Sequence, residues 1–457
     1  MKMHNKFSSH LFNNIQHLVV LILIFSCCQS NQKPSAIDLP VSETILHESK
    51  ERPDLLDKNS PANLRLLQIT TDTSQSSWNV YTEARIFTPD SKRFVFVREN
   101  NYWLCDIEDN YGLRQITDEK DAIGPSVSPD GKWMYYFIDR TLSPEKTLTL
   151  KKLSLEKFTR ETLLTIKETI PGTDYKISHI YTLSSISTDG KRLCTSCFLG
   201  DGKTQNAPWG LLVFNLEKPS VSLVFKGQNF NNMHPQYRIS NDPELSHDIL
   251  IQHNHDSIVD STGKTLKLVG GDGADLHVIR DDGTNWRDIP IGRDGTEFCQ
   301  GHQQWRGKMN SVLSSMSMPH GKSRILEGFP ITTNDETSHK GFKIPGGKYN
   351  DITKNIENPS FWHFSADYSG MHLISDTYTS NDKTKEKVIT IVIGTLSQGE
   401  NPVLKMQYLL NTRTSGNGQS AHPHPFFSPD TKMAFLNSDV TGGPQVWMVT
   451  GYQFPEF

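Results

Sequence analysis

An excess of charge of either sign is missing. In 457 residues, 47 Lys+Arg stand against 51 Asp+Glu, a formal net charge of −4 at pH 7. That balance offers no basic field for holding nucleic acid. Long apolar runs are missing as well. The run Leu18–Phe25 is eight residues long, against the roughly 20 that a bilayer-spanning helix needs. Cysteine is scarce. Of six residues, Cys27 and Cys28 follow that apolar run, which leaves Cys105, Cys194, Cys197 and Cys299. Cys194 and Cys197 have CxxC spacing, but they lie in a strand pattern with no second pair, which argues against zinc or redox chemistry. No Gly-x-Ser-x-Gly elbow occurs, so a serine-hydrolase reading is weak. Turn residues are plentiful instead, with 31 Gly and 24 Pro. The chain reads as many short elements in a folded, soluble composition.

The N-terminus reads as a targeting segment. Lys2 and Lys6 precede the apolar run, which ends in Ile24-Phe25-Ser26-Cys27. This resembles the bacterial lipobox, an aliphatic residue three positions before a Cys with a small residue between. The resemblance implies a signal peptide over residues 1–26, cleavage before Cys27 and lipidation of that residue. The product is a lipid-anchored protein on the periplasmic or cell-surface side of a membrane. Residues 27–63 have the composition of a flexible tether.

From residue 64 to 457 one phrase recurs: an apolar strand, a Ser-Pro-Asp-Gly type turn, a second apolar strand. Copies stand at Phe87–Val97, Val127–Phe137, Ile186–Leu193 and Phe427–Phe435, with degenerate ones at Ile239–Pro243 and Phe364–Gly370. The long gap between the two degenerate copies implies a hidden one near Trp305-Arg-Gly307, which makes seven. Pro presets the turn and Asp and Gly meet its polar and left-handed needs, so the phrase is a hairpin. A further strand follows several copies. Seven such units predict an all-β fold, a seven-bladed β-propeller of TolB or WD40 type. Leu66–Asp72 nearly repeats Leu113–Asp118, and the C-terminus lacks a fourth strand. Segment 64–70 is therefore expected to complete the last blade and close the ring.

The chain holds 17 His, unevenly placed. Measured from each hairpin Asp, His234 lies eight residues before Asp242 and His363 four before Asp367. His422 and His424 lie eight and six before Asp430, and His302 precedes the hidden fifth copy. Four blades thus aim His at one channel. In Gln419-Ser-Ala-His422-Pro-His424-Pro425, positions i and i+2 of a strand share a face. Two imidazoles and an amide oxygen suit Mn, Fe, Ni or Zn better than Ca.

On these residues the chain resembles the oligogalacturonate lyases (polysaccharide lyase family 22). The resemblance rests on Trp78–Glu83, Gly301-His302-Gln-Gln-Trp305, Trp362-His363-Phe364 and, above all, Gln419-x-x-His422-Pro-His424-Pro425. It implies a seven-bladed propeller with manganese, or another divalent transition metal, held by His363, Gln419, His422 and His424. It implies His302 as general base, with His234, which could line the same channel from the fourth blade, as its rival. The family also uses an arginine about 25 residues before the base. Here Asp275 or His277 takes that place, with Arg280, or Arg238 beside His234, as the substitute. His234 and Arg238 are then expected to bind substrate. The implied reaction is β-elimination on short 4-linked uronate oligosaccharides, oligogalacturonate foremost. Metal coordination of the C6 carboxylate favours C5–H loss, and a neutral imidazole takes the proton. The alternative is a non-catalytic TolB-like propeller lipoprotein, a binding or scaffold module.

Overall fold

The structure, a computed structural model, describes residues 42–270, 273–291, 298–317, 322–332, 347–380 and 387–457. The signal segment, Cys27 and the first part of the tether lie outside the described residues. Among the described residues no helix is long and apolar enough to cross a membrane.

Seven antiparallel sheets follow one another along the chain and form the seven blades. Blade 1 is built on Arg93–Arg98, blade 2 on Trp133–Arg140, blade 3 on Arg192–Phe198 and blade 4 on Asp248–Asn254. Blade 5 is built on Val312–Ser317, blade 6 on His372–Ser380 and blade 7 on Ala434–Ser438. The ring closes as the sequence implies. Arg65–Gln68 pairs with Gln445–Thr450, with Leu66 opposite Val449 and Leu67 opposite Met448. Asn79 of blade 1 also donates to Asn437 Oδ1 of blade 7 from its backbone N–H (2.8 Å) and its side chain (2.9 Å). Apolar side chains fill the spaces between neighbouring blades. One such cluster joins Phe94 and Phe96 of blade 1, Tyr136 of blade 2 and Phe435 of blade 7.

The repeated phrase folds through one hydrogen-bond device. In blades 1, 2, 3 and 7 the hydroxyl of Thr88, Ser128, Ser187 or Ser428 donates to the Asp two residues on. The same oxygen accepts the N–H five residues on, across the turn. The fourth turn residue has a left-handed backbone, which Gly131 and Gly190 adopt at φ +71° each and Ser91 and Thr431 at φ +62° and +60°. The hidden fifth copy is present: Arg306 N–H donates to Ser311 O where Ser428 N–H donates to Met433 O. In blade 6, Asp367 stands in the serine's place and accepts from Met371 N and His372 N itself.

The tether is shorter than its composition implies. Lys50–Glu51 adds a fifth strand outside Arg65–Gln68, and Leu46 bridges to Leu113. Arg98, 1% exposed, is bound by Glu48 and by Ser77 Oγ (2.8 Å). Residues 46–63 cover the ring's seam from outside, through these hydrogen bonds and through Leu46, Leu55 and Leu56, which pack against the core.

Candidate metal centre and channel site

The hairpin device gives each blade a common ruler. Thr88, Ser128, Ser187, Arg238, Arg306, Asp367 and Ser428 each donate their N–H back across the hairpin and are equivalent. Four residues earlier stand Ala84, Gly124, Leu183, His234, His302, His363 and His424. One blade position therefore carries a small or apolar residue in blades 1–3 and histidine in blades 4–7. The Asp-based spacing blurs this because Asp367 occupies the serine position and blade 4 has a longer turn.

The local backbone explains how these side chains point inward. The ladder slips between Cys299 and Gln303, and again between Phe361 and Phe364. His302 and His363 thus sit in bulges, which re-aim a side chain. His234 and His424 have left-handed backbones, φ +47° and +43°, and each precedes a proline. A non-glycine residue there is strained by roughly 1–2 kcal/mol. The strand-face account of His422 and His424 does not hold. The strand begins only at Phe426, and His422 ends a short 3-10 turn, Gln419–Ala421. The two rings converge, centroids 5.5 Å apart, because the prolines and the left-handed His424 turn the chain.

The result is a compact cluster. One ligand atom each from His363, His422 and His424 lie within 4.8 Å of one another. His363 Nδ1–H donates to Asp376 Oδ2 at 2.7 Å, and its own N–H donates to Asp376 Oδ1 at 2.8 Å. That carboxylate fixes the ring so that Nε2 faces the cluster. His422 Nδ1 and His424 Nε2 are buried with no hydrogen-bond partner among the described residues. Orphaned imidazole nitrogens converging with a ring held by carboxylate are what a divalent transition metal requires, so the residues fit the ion. Burial, then the neighbouring imidazoles, hold His363 and His424 well below the usual histidine range. Burial likewise lowers His422. Neutral imidazole is the ligand form. Burial pushes Asp376 up to about 8.

His363 and His424 line a chamber of about 770 Å³ at one mouth of the channel, together with Gln419, His302, His234 and Tyr81. His302 lies against His363, ring centroids 4.3 Å apart and planes tilted by 52°. Its Nδ1 is 3.3 Å from Ser315 Oγ. Burial, then the His363 charge, pushes its pKa well down. His234 is tied off: Nδ1 meets Glu83 Oε1 at 2.8 Å, and Gln236 Nε2 donates to the other oxygen.

The two arginines are not where the resemblance places them. Arg280 is at the far end of its strand, bound to Glu244 at 2.7 Å. Arg238 occupies the hairpin position, lies over Trp305 at 5.3 Å and donates to Asn310. Neither lines the chamber, and Asp275 and His277 do not line it either. The cation that acts electrostatically on His363, His422 and Asp376 is Lys387, held at 4.3 Å over the Tyr378 ring. Tyr81 is a second group that sequence spacing does not single out. Its ring lies 4.8 Å from His424 and 5.5 Å from His234, and burial keeps its phenol protonated.

No family model and no curated protein sequence matches the chain. Solved structures do. An oligogalacturonate lyase from Vibrio parahaemolyticus is 17% identical, with 90% of this chain and 98% of that one covered at a TM-score of 0.64. An oligogalacturonate lyase in complex with manganese is also 17% identical, with 89% and 99% covered and a TM-score of 0.63. This chain shares the seven-bladed propeller fold of the oligogalacturonate lyases.

Proposed function

We propose that the protein is a metal-dependent lyase that cleaves short 4-linked uronate oligosaccharides by β-elimination, with oligogalacturonate as the first candidate. The observation that carries this reading is the meeting of a half-buried His302 with the three-histidine cluster, its ring 4.3 Å from that of His363 where both line one chamber. Its about 770 Å³ falls in the range of small-ligand sites. The fold shared with the oligogalacturonate lyases supports it.

His363, His422 and His424, with Gln419 beside them, would hold the ion, for which manganese is the first choice. Bound there, the ion supplies Lewis-acid stabilisation of negative charge on the uronate carboxylate. Lys387 adds a positive charge on the same side, the task the resemblance gives to an arginine. His302 takes the C5 proton: its burial keeps the imidazole neutral, and Ser315 orients the ring. Tyr81, protonated and facing His424, is placed to give a proton to the departing 4-linked oxygen. Trp362, 39% exposed and 6.0 Å from His302, offers an apolar face for a sugar ring at the mouth. No water is consumed, so the paired carboxylates of a glycosidase are not needed.

Anchoring belongs to the same reading. We infer that Cys27 is the mature, lipidated N-terminus, which holds the propeller on the periplasmic or cell-surface side of a membrane. A Cys27→Ala chain that still partitions with membranes refutes that inference. The function itself is tested by adding Mn²⁺ and a panel of uronate dimers and trimers and following the ultraviolet band of the 4,5-unsaturated product. A flat trace across the panel, with metal bound, favours a non-catalytic binding propeller instead.

A further inference from the structure

A second cluster of histidine and carboxylate lies in blade 4, outside the chamber. Strand Asp248–Asn254 pairs with Ala274–Arg280 so that His253 stands directly opposite Asp275. His277, two residues beyond Asp275, shares its face. One ligand atom each from His253, Asp275 and His277 lie within 4.8 Å of one another. All three are buried: His253 is 8% exposed, and Asp275 and His277 are both 0%.

Two of the three ligands are oriented from behind. His277 Nδ1–H donates to Asp288 Oδ1 at 2.6 Å, and Trp286 Nε1–H donates to the same oxygen at 3.2 Å. With Nδ1 so engaged, Nε2 is the atom His277 offers, as in His363 with Asp376. His255 Nε2 is 3.0 Å from Asp275 Oδ2, which holds the carboxylate. The walls are aromatic. Phe230 lies 4.7 Å from the His253 ring and Trp286 4.5 Å from the His277 ring.

We propose that His253, Asp275 and His277 form a second metal site, which binds a divalent transition ion of the Zn²⁺ type. Two imidazoles and a carboxylate are its ligand chemistry. Asp288 behind His277 completes a carboxylate–histidine–metal arrangement. The site is closed to substrate, so its role is structural: it ties together the two central strands of blade 4. This inference stands independently of the channel reading.

The test is metal counting. Protein stripped of metal is saturated with Zn²⁺, freed of excess and analysed for zinc per chain. Wild type is expected to hold two and the His422→Ala/His424→Ala variant one. That variant leaves blade 4 intact, so misfolding there does not confuse the result. It should also melt at a higher temperature with Zn²⁺ than without. Adding His253→Ala, or separately Asp275→Asn, should remove the remaining zinc and the melting shift. No zinc on the first variant overturns the proposal, and so does zinc that survives either addition. A channel site that fails to bind would instead show as equal counts in wild type and the double variant.

Discussion

Blades 1–3 and blades 4–7 solve the same backbone problem with different residues. At the position four before the hairpin donor, blades 1–3 place Ala84, Gly124 and Leu183, and blades 4–7 place His234, His302, His363 and His424. In blades 1–3 the serine or threonine device of the turn is intact. In blades 4–6 it is replaced by Arg238, Arg306 and Asp367. Arg306, 5% exposed, binds Glu327 at 2.8 Å, a dearer solution that needs a buried partner. One arc of the ring is kept regular by local turn chemistry. The other carries the imidazoles, and in two of its hairpins Arg238 and Arg306 reach Asn310 and Glu327 outside the turn. Blade 7 has both features, which fits its double task of closing the ring and presenting His422 and His424. The lesson is that stability and chemistry are separable along the ring, and substitutions should sort accordingly.

The sharpest break is at the metal. His422→Ala/His424→Ala removes two of three converging imidazoles. Metal in the channel, and with it uronate cleavage, is expected to fall below detection. The melting temperature measured without metal should stay within a few degrees of wild type, because the strands of all seven blades are untouched. Chamber metal that persists in this variant breaks the assignment.

Next in size is His302→Ala. A positioned general base contributes about 10²–10⁴-fold, and turnover should fall by that factor with channel metal occupancy unchanged. The contrast with His234 is part of the prediction. His234→Ala takes from Glu83 Oε1 its 2.8 Å partner and leaves Gln236 on the other oxygen, so it should cost stability more than turnover. Equal losses of turnover in both variants would mean that the arc acts as one site with no single base.

Much of this was legible in the sequence, for a definite reason. The hairpin phrase is local, since its hydrogen bonds span five residues, so its repeats and the hidden copy at Trp305 can be read directly. Ring closure by segment 64–70 was legible because the closing strand repeats the wording of its neighbour. The histidines were legible as a set. Their exact register was not, because bulges and left-handed residues before proline shift the count. Asp376, Lys387 and Tyr81 were invisible to spacing. They reach the cluster from a second strand, from a third strand and from another blade, and only the fold brings them near. The blade 4 cluster was hidden likewise, since it forms across paired strands 20 residues apart. The arginine expected near residue 280 failed because strand direction sends Arg280 to the end of blade 4 away from the chamber. The tether failed because polar composition describes a covering strand as well as a free one.

Two predictions concern the regular arc. Gly131 has φ +71°, and a Cβ there would meet Pro89 Cδ at 2.7 Å and Thr88 Cβ at 3.3 Å. Gly131→Ala therefore adds left-handed strain to a clash between neighbouring hairpins. The expected cost is about 1–3 kcal/mol, measured by urea unfolding, with turnover per folded molecule unchanged. A loss of turnover would show that the hairpin face is coupled to the metal face, against the separation drawn above.

The smallest effect is expected in blade 7, where Thr431 occupies the position of Gly131 at φ +60°. A β-branched residue is poorly suited to that backbone. Thr431→Gly relieves roughly 1–2 kcal/mol of left-handed strain but adds freedom to the unfolded chain, worth about 0.4–1 kcal/mol in the other direction. The hydrogen bonds that matter here are made by the backbone: Thr431 N–H donates to Ser428 O, and Thr431 O accepts from Tyr452 Oη at 2.7 Å. Glycine keeps both. The net is a gain of about 0.5 kcal/mol by the same two ranges, read as a small rise in the urea midpoint at constant slope. His422 and His424 precede this turn in the same blade, so metal affinity is the second readout. If the gain appears and metal affinity is unchanged, blade 7 too keeps its turn chemistry apart from its ligands. If stability falls, the Thr431 side chain holds the turn in a way its backbone contacts do not show.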